Sequence, residues 1–325
     1  MPQLPVIAVV GPTAAGKSDL AVDLALELGG EVINADSMQL YRGMDVGTAK
    51  LTVEERRGVP HHLLDVWDVR RTASVAEYQE RVRPLMDDLL ARGVVPILVG
   101  GSGLYVRAAL DDLEFPGTDP AIRARLEAEL AAYGPAPLHQ RLGGLDPEAA
   151  GAILPSNGRR IVRALEVVEL TGRPFSASMP SYDAVYDSVQ LGVEVPRAVL
   201  DERVALRVDR MWEAGLVEEV RALARRGLAE GRTAGRALGY AQVLRFLAGE
   251  WTEEQARQET VRATRRFVRR QESWFRRDPR VVWLPQQDPG LLDRALEEVR
   301  RPAASAPGGA AGRPGLAEGC SGESC

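Results

Sequence analysis

Gly11-Pro12-Thr13-Ala14-Ala15-Gly16-Lys17-Ser18 is the stretch that decides the fold of this chain. It fits the pattern G-x4-G-K-[ST]. The apolar run Val6-Ile7-Ala8-Val9-Val10 precedes it and the helix-like Asp19–Leu28 follows. A phosphate loop requires that strand, glycine loop and helix in that order. Backbone N–H groups at the helix N-terminus, helped by the macrodipole, bind an oligophosphate; Lys17 adds a point charge and Ser18 a hydroxyl for Mg2+. The competing reading is a glycine-rich strand–helix turn. Composition argues against it, because Lys17 and Lys50 are the only lysines among 41 basic residues. A lysine kept against so strong an arginine bias marks a place where a slim ammonium has to reach phosphate oxygens. The motif specifies a diphosphate or triphosphate, not what is done with it.

Working outward, Val6–Val10, Glu31–Ala35 and Val94–Gly100 read as buried parallel strands. Helical patterns at Lys17–Leu28 and Val75–Ala91 alternate with them, giving the βαβ rhythm of a three-layer α/β fold. His62–Val66 is a further short strand candidate. After Pro116 the texture changes. Asp119-Pro120 reads as a helix start, Ala121–Tyr133 and Arg159–Leu170 as helices, and Gly134–Pro137 and Gly143–Pro147 as breaks. Gln190–Val195 returns as a strand, followed by long helical stretches at Val199–Arg226 and Thr252–Arg277, the second opening on a Thr252–Gln255 capping box. The expected organisation is a core over 1–115, a helical insertion over 116–188, the rest of the core over 189–300, and a disordered Pro/Gly/Ala/Ser tail over 301–325.

With 325 residues the chain can bury a full core. It has no long uncharged apolar run, and Met1–Pro5 leads straight into the first strand, so neither a membrane span nor a signal peptide is expected. Cys320 and Cys325, the only cysteines, lie in the tail and offer no disulfide or zinc cluster to the fold. A cytoplasmic protein, a monomer with no membrane partner, is expected. The net charge of −5 is unevenly spread: Pro196–Trp283 carries 19 arginines against 13 acidic residues. That basic half has to be judged on its own as a polyanion surface.

Asp36 ends the second strand, where open α/β sheets line their ligand crevice, so it should face the phosphate loop. A nucleotide hydrolase usually follows a further strand with an Mg2+-binding Asp. Here Val94–Val99 runs instead into Gly100-Gly101-Ser102-Gly103, which supplies N–H groups and a hydroxyl but no carboxylate. These residues suit a phosphate-bearing leaving group with one carboxylate nearby as a base. A small-molecule kinase, an adenylate isopentenyltransferase and a non-catalytic RNA-binding protein remain as alternatives. His61 and His62 lack a third ligand candidate and read as structural or substrate-loop hydrogen-bonding residues.

At these residues the chain resembles the tRNA dimethylallyltransferases, also called IPP transferases. The matching blocks are Gly11–Ser18, Asp36–Lys50, Pro60–Asp65, Val99–Tyr105, Arg160–Val167 and Arg236–Tyr240, which together span about residues 6–285. The resemblance implies a P-loop NTPase-like three-layer α/β core with a parallel sheet, and a helical insertion domain that embraces the anticodon stem–loop of tRNA. It implies that Gly11, Pro12, Thr13, Ala14, Ala15, Gly16, Lys17 and Ser18, with Arg236, bind the diphosphate of dimethylallyl diphosphate rather than ATP, with Mg2+ as cofactor. Asp36 corresponds to the base acting on the adenine N6 amine, and Ser102 stands where the family commonly has Thr. Asp36, Ser37, Met38, Gln39 and Ser102, with Arg123, Arg159, Arg160, Ile161, Val162 and Arg163 of the insertion, correspond to tRNA-binding positions; Arg159 replaces the family's usual Gln.

In Thr252–Arg277 the positions Val261, Thr264, Phe267, Val268, Trp274 and Phe275 form one stripe, with seven arginines from Arg262 to Arg277 largely off it. Given a polyanionic partner, that basic face is expected to contact phosphates, and Trp274 is expected in the core.

Overall fold

Alternate residues of the first strand, β1 (Val6–Val10), face opposite sides of the sheet, and each side has its own core. Val6, Ala8 and Val10 pack into one apolar cluster, and Ile7 and Val9 into the other. The computed structural model describes residues 5–178 and 182–301. The tail reading and both cysteines therefore fall outside the described residues, Arg301 excepted.

After β1 come α1 (Lys17–Leu28), β2 (Gly30–Asn34), β3 (His61–His62), α2 (Val75–Ala91), β4 (Val95–Gly100) and α3 (Gly103–Leu110). Four helices follow: α4 (Pro120–Tyr133), α5 (Pro135–Leu145), α6 (Pro147–Ala152) and α7 (Gly158–Thr171). The chain then re-enters the sheet as β5 (Ser188–Glu194) and continues through α8 (Arg197–Glu213), α9 (Leu216–Ala224), α10 (Tyr240–Leu247), α11 (Glu253–Phe275), β6 (Val281–Pro285) and α12 (Leu291–Arg300). The six strands lie in the order β3-β2-β4-β1-β5-β6, all parallel. One face is covered by residues of α2, α3, α9 and α10, the other by residues of α1, α8 and α12. This is the three-layer α/β core expected from the sequence.

Val10 pairs with Gly100 and Asn34 with Val99, so the carboxyl ends of β1, β2 and β4 are level. The loops leaving them, Gly11–Gly16, Ala35–Gln39 and Gly101–Ser102, therefore open at one edge of the sheet. A separate apolar cluster joins Leu126 of α4, Leu138 and Leu142 of α5, Ala149 of α6 and Ile161 and Leu165 of α7.

Several local expectations change. The strand expected over His62–Val66 is only His61–His62, and Leu63 and Asp65 turn away with positive φ. Prolines 135 and 147 start helices instead of breaking them: each sits in the first turn, where its missing N–H costs no hydrogen bond. Val199–Arg226 is two helices, parted at Gly215 (φ 91°). The edge strand Val281–Pro285 and the helices α3, α10 and α12 were not anticipated.

Candidate active site

The phosphate loop is a left-handed backbone nest. Ala14 (φ 64°) and Gly16 (φ 91°) both have positive φ, which curls successive N–H groups toward a common concavity. The alanine holds this sparsely populated conformation without the freedom of glycine, a strain of the kind concentrated at ligand sites. The Thr13 N–H is already engaged, donating to Gln271 Oε1 at 2.9 Å. The amides left for a ligand run from Ala14 onward. Gly11, Pro12 and Ala15 are buried beneath the loop.

Lys17 donates to the Pro12 carbonyl at 2.6 Å. Burial, and then the charge of Arg207, push its ammonium down to about 7, while Asp36 acts in the opposite sense. A lysine so placed is a cation short of an anion. Ser18 is half-buried beside it.

Asp36 is held by its neighbours on β2. The buried Asn34 accepts from the Asp36 N–H at 2.8 Å and donates to the carbonyls of Asp36 and Leu63, each at 3.0 Å. The Asn34 carbonyl accepts from the Tyr78 hydroxyl. The Met38 N–H donates to Asp36 Oδ1 at 2.8 Å, which leaves the carboxylate turned toward the cavity. Ser102 Oγ accepts from the Ser37 N–H at 3.2 Å and donates to Ser37 Oγ at 3.3 Å, tying the loop after β4 to the loop after β2.

Two cavities meet here. One, of about 410 Å³, is lined by Thr13, Asp36, Ser37, Met38, Ser102, Arg159, Arg236 and the α11 residues Thr260, Thr264, Phe267 and Arg270. The other, of about 870 Å³, is lined by Ala14, Gly16, Lys17, Ser18, Lys50 and Arg203. Arg207 and Met211 wall both. Sequence residues far apart in the chain are thus brought together, Arg159 from the insertion included.

Other expected site residues lie elsewhere. Gln39 bonds the Thr48 carbonyl at 3.2 Å. Ile161 and Val162 are buried in the core of the four-helix segment, because α7 turns its apolar face inward there. Arg123 and Arg163 both pair with the fully buried Glu166, and Arg163 also donates to the carbonyls of Pro116 and Gly117. Burial alone would raise the Glu166 carboxyl, but the bonds from Arg123 and Arg163 hold it below the usual carboxylate range. Arg160 is exposed on α7.

On α11 the inward residues are Ala256, Thr260, Ala263, Val268, Gln271 and Phe275. The core position expected for Trp274 is incorrect: it is 42% exposed, with its indole lying over Gly103. The arginines on this helix differ from one another. Arg265 donates to the Asp201 carbonyl, and Arg262 and Arg266 pair with Glu259, whereas Arg269 and Arg270 make no ion pair among the described residues.

Three site residues went unnoticed in the sequence. Arg207 falls on the buried stripe of α8 between Val204 and Val208, and Gln271 on that of α11 between Val268 and Phe275. A polar residue at a core position was the available signal. Glu219 gave none. Its carboxylate accepts from the N–H groups of Asp45, Val46 and Gly47 and from the Tyr240 hydroxyl, fixing the wall of the smaller cavity.

The family model described as IPP transferase matches residues 39–278. A protein of Thermobifida fusca named tRNA dimethylallyltransferase is 72% identical over 90% of this chain and 94% of its own length. A Streptomyces coelicolor protein of the same name is also 72% identical, over 91% and 96%. The crystal structure of a tRNA isopentenylpyrophosphate transferase from Bacillus halodurans superposes with a TM-score of 0.68 at 40% identity, covering 91% of this chain and 96% of that one. A eukaryotic dimethylallyltransferase described as acting on tRNA reaches a TM-score of 0.78 at 25% identity, over 90% and 77%. The chain with this nest, this Asp36 carboxylate and these paired cavities belongs to the IPP transferase family.

Proposed function

We propose that the chain transfers the dimethylallyl group of dimethylallyl diphosphate to the N6 amine of the adenine 3′ of the anticodon in tRNA, releasing diphosphate. The observation that carries this reading is the placement of Asp36, a carboxylate that lines the cavity able to receive a base and lies near enough to Lys17 of the nest for its charge to act on that ammonium.

An exocyclic adenine amine is a weak nucleophile because its lone pair is delocalised into the ring. The reaction is therefore driven from the donor. The allylic carbon–oxygen bond breaks with its electron pair on the diphosphate, N6 bonds to the allylic carbon, and the N6 proton passes to Asp36. Lys17, Arg207, Arg236 and the amides from Ala14 to Ser18 stabilise the charge on the departing diphosphate. Among the described residues no cluster of three or more His, Cys, Asp or Glu side chains could cage a metal. The Ser18 hydroxyl beside the nest fits the mode in which Mg2+ is held mostly by substrate phosphates and water. So held, Mg2+ would add Lewis-acid stabilisation to the leaving group. Ser102, joined to Ser37, orders the rim where the base enters.

We assign residues 116–188 as the insertion that holds the anticodon stem–loop, with Arg159 and Arg160 reaching toward it and Arg123 and Arg163 bracing α7. An adenine in a single-stranded loop is unstacked at little cost. No helix among the described residues is long and apolar enough to cross a membrane; a cytoplasmic monomer suits a tRNA substrate. The reading is tested by incubating the protein with labelled dimethylallyl diphosphate, Mg2+ and tRNA, AMP or ATP. Label is expected in tRNA alone. Label in AMP or ATP, or in none of the three, would refute it.

A further inference from the structure

Gln271 is a side chain that bonds both loops of the donor site. It is 4% exposed on α11. Its Oε1 accepts from the Thr13 N–H at 2.9 Å, and its Nε2 donates to the Gly101 carbonyl at 3.0 Å. The two partners fix the orientation of the amide, since an N–H can only donate and a carbonyl can only accept. The first bond reaches the phosphate loop, the second the loop that carries Ser102. A Cβ on Gly101 would stand 2.1 Å from Gln271 Nε2, so a larger residue there would push the amide away from its place on the Gly101 carbonyl. Thr260, Thr264, Phe267 and Arg270 of the same helix line the smaller cavity.

We infer that Gln271 is a positioning residue for the transfer reaction, setting the gap between the phosphate nest and the Ser102–Asp36 wall from a helix that also borders the acceptor cavity. It touches neither substrate. It holds the Thr13 N–H out of the nest, so that the ligand meets the amides from Ala14 onward, and it fixes Gly101 one residue before Ser102. Donor and acceptor loops thereby share one rigid reference. A neutral amide is required, because a carboxylate would set a second acceptor against the Gly101 carbonyl. This inference rests on the transfer reaction proposed above.

The test compares wild type with Gln271→Glu, Gln271→Ala, Gly101→Ala and the Gln271→Ala/Gly101→Ala double variant, all full-length. Label transfer to tRNA is measured at saturating substrates, alongside tRNA Kd and thermal unfolding. Displacing a reacting group by about 1 Å can cost about a hundredfold. Each single variant is expected to lose roughly ten- to hundredfold in kcat, with tRNA Kd within about twofold of wild type. The double variant should be no slower than the slower single, because both changes break the same link. Undiminished kcat in Gln271→Glu and Gln271→Ala would overturn the positioning role. So would a loss matched by weaker tRNA binding, or one accounted for by the unfolded fraction. Failure of wild type to label tRNA would instead defeat the reaction itself.

Discussion

Two groups of enclosed charge, one in the sheet core and one in the four-helix segment, are built on opposite principles. Around the phosphate nest Lys17 and Arg207 lie close together with no ion pair among the described residues, and Asp36, whose charge acts on both, accepts from the Met38 N–H. Around α7, Arg123 and Arg163 close on Glu166, which is fully buried and doubly paired. The cations of the first group pair with no carboxylate among the described residues, whereas both cations of the second bond the same one. Burying a cation without its anion is costly, so a protein that does so holds a place for a ligand charge. Arginines that share a buried carboxylate hold helices in register. The comparison separates arginines and lysines that serve chemistry from those that serve architecture, although all look alike in a chain this rich in arginine.

The largest effect should come from the core. Asp36→Asn keeps the side-chain size and should slow transfer by roughly 10²–10⁴-fold, the usual range for a general base, with tRNA affinity near wild type. Single-turnover transfer and filter binding would check this, and normal turnover would remove Asp36 from the mechanism. Next is Glu166→Ala. It leaves Arg123 and Arg163 without their shared acceptor and should destabilise the four-helix segment by about 2 kcal/mol. Amide hydrogen exchange should show faster opening of α4 and α7 with β1, β2 and β4 unchanged; uniform loosening of both regions would erase the contrast. A smaller effect is expected at the surface of α11. Arg269→Glu with Arg270→Glu should lower the slope of log affinity for tRNA against log salt by about 2, while Arg265→Glu, whose parent donates to the Asp201 carbonyl, changes it little. Equal slopes in the two variants would mean that existing hydrogen bonds do not sort these arginines.

The smallest effect is a proton. Lys17 has a folded-state value of about 7 against an ordinary 10.5, so the unfolded chain holds its proton more tightly. Stability of the ligand-free protein should therefore rise with pH between those values. A bound diphosphate restores the charge, so binding at pH 8 should take up close to one proton, and at pH 6 almost none. Calorimetry in buffers of different ionisation enthalpy reads this number directly. Equal uptake at both pH values would mean that the nest does not hold a neutral lysine.

Much of the core was legible because strand–loop–helix order and buried runs are local properties. β1, α1, α2 and the capping box of α11 follow from periodicity and end signals within one segment. Prolines 135 and 147 misled because proline both ends and begins helices, and only the register of the following turn decides which. Trp274 misled because a stripe on a 23-residue helix has edges, and the helical angle places this residue beyond the inward face set by Val268, Gln271 and Phe275. The edge strand β6 is as apolar and as long as β1, but its exposed residues Val282 and Pro285 show that only its place at the sheet edge, which packing sets, distinguishes it.

By itself the sequence determined a phosphate-loop motif on a parallel α/β sheet, because strand, glycine loop, lysine and helix start are contiguous and need no distant partner. It also determined that Asp36 stands at a strand end facing that nest. Only the tertiary structure decided which charges are spare. Whether an arginine finds a carboxylate, as Arg123 does, or borders a cavity, as Arg207 does, depends on groups tens of residues away whose approach the sheet and helix packing set. The same holds for Gln271, whose two partners lie 258 and 170 residues distant in the chain. Local composition fixes what a residue can do, and packing fixes what it has left to do it with.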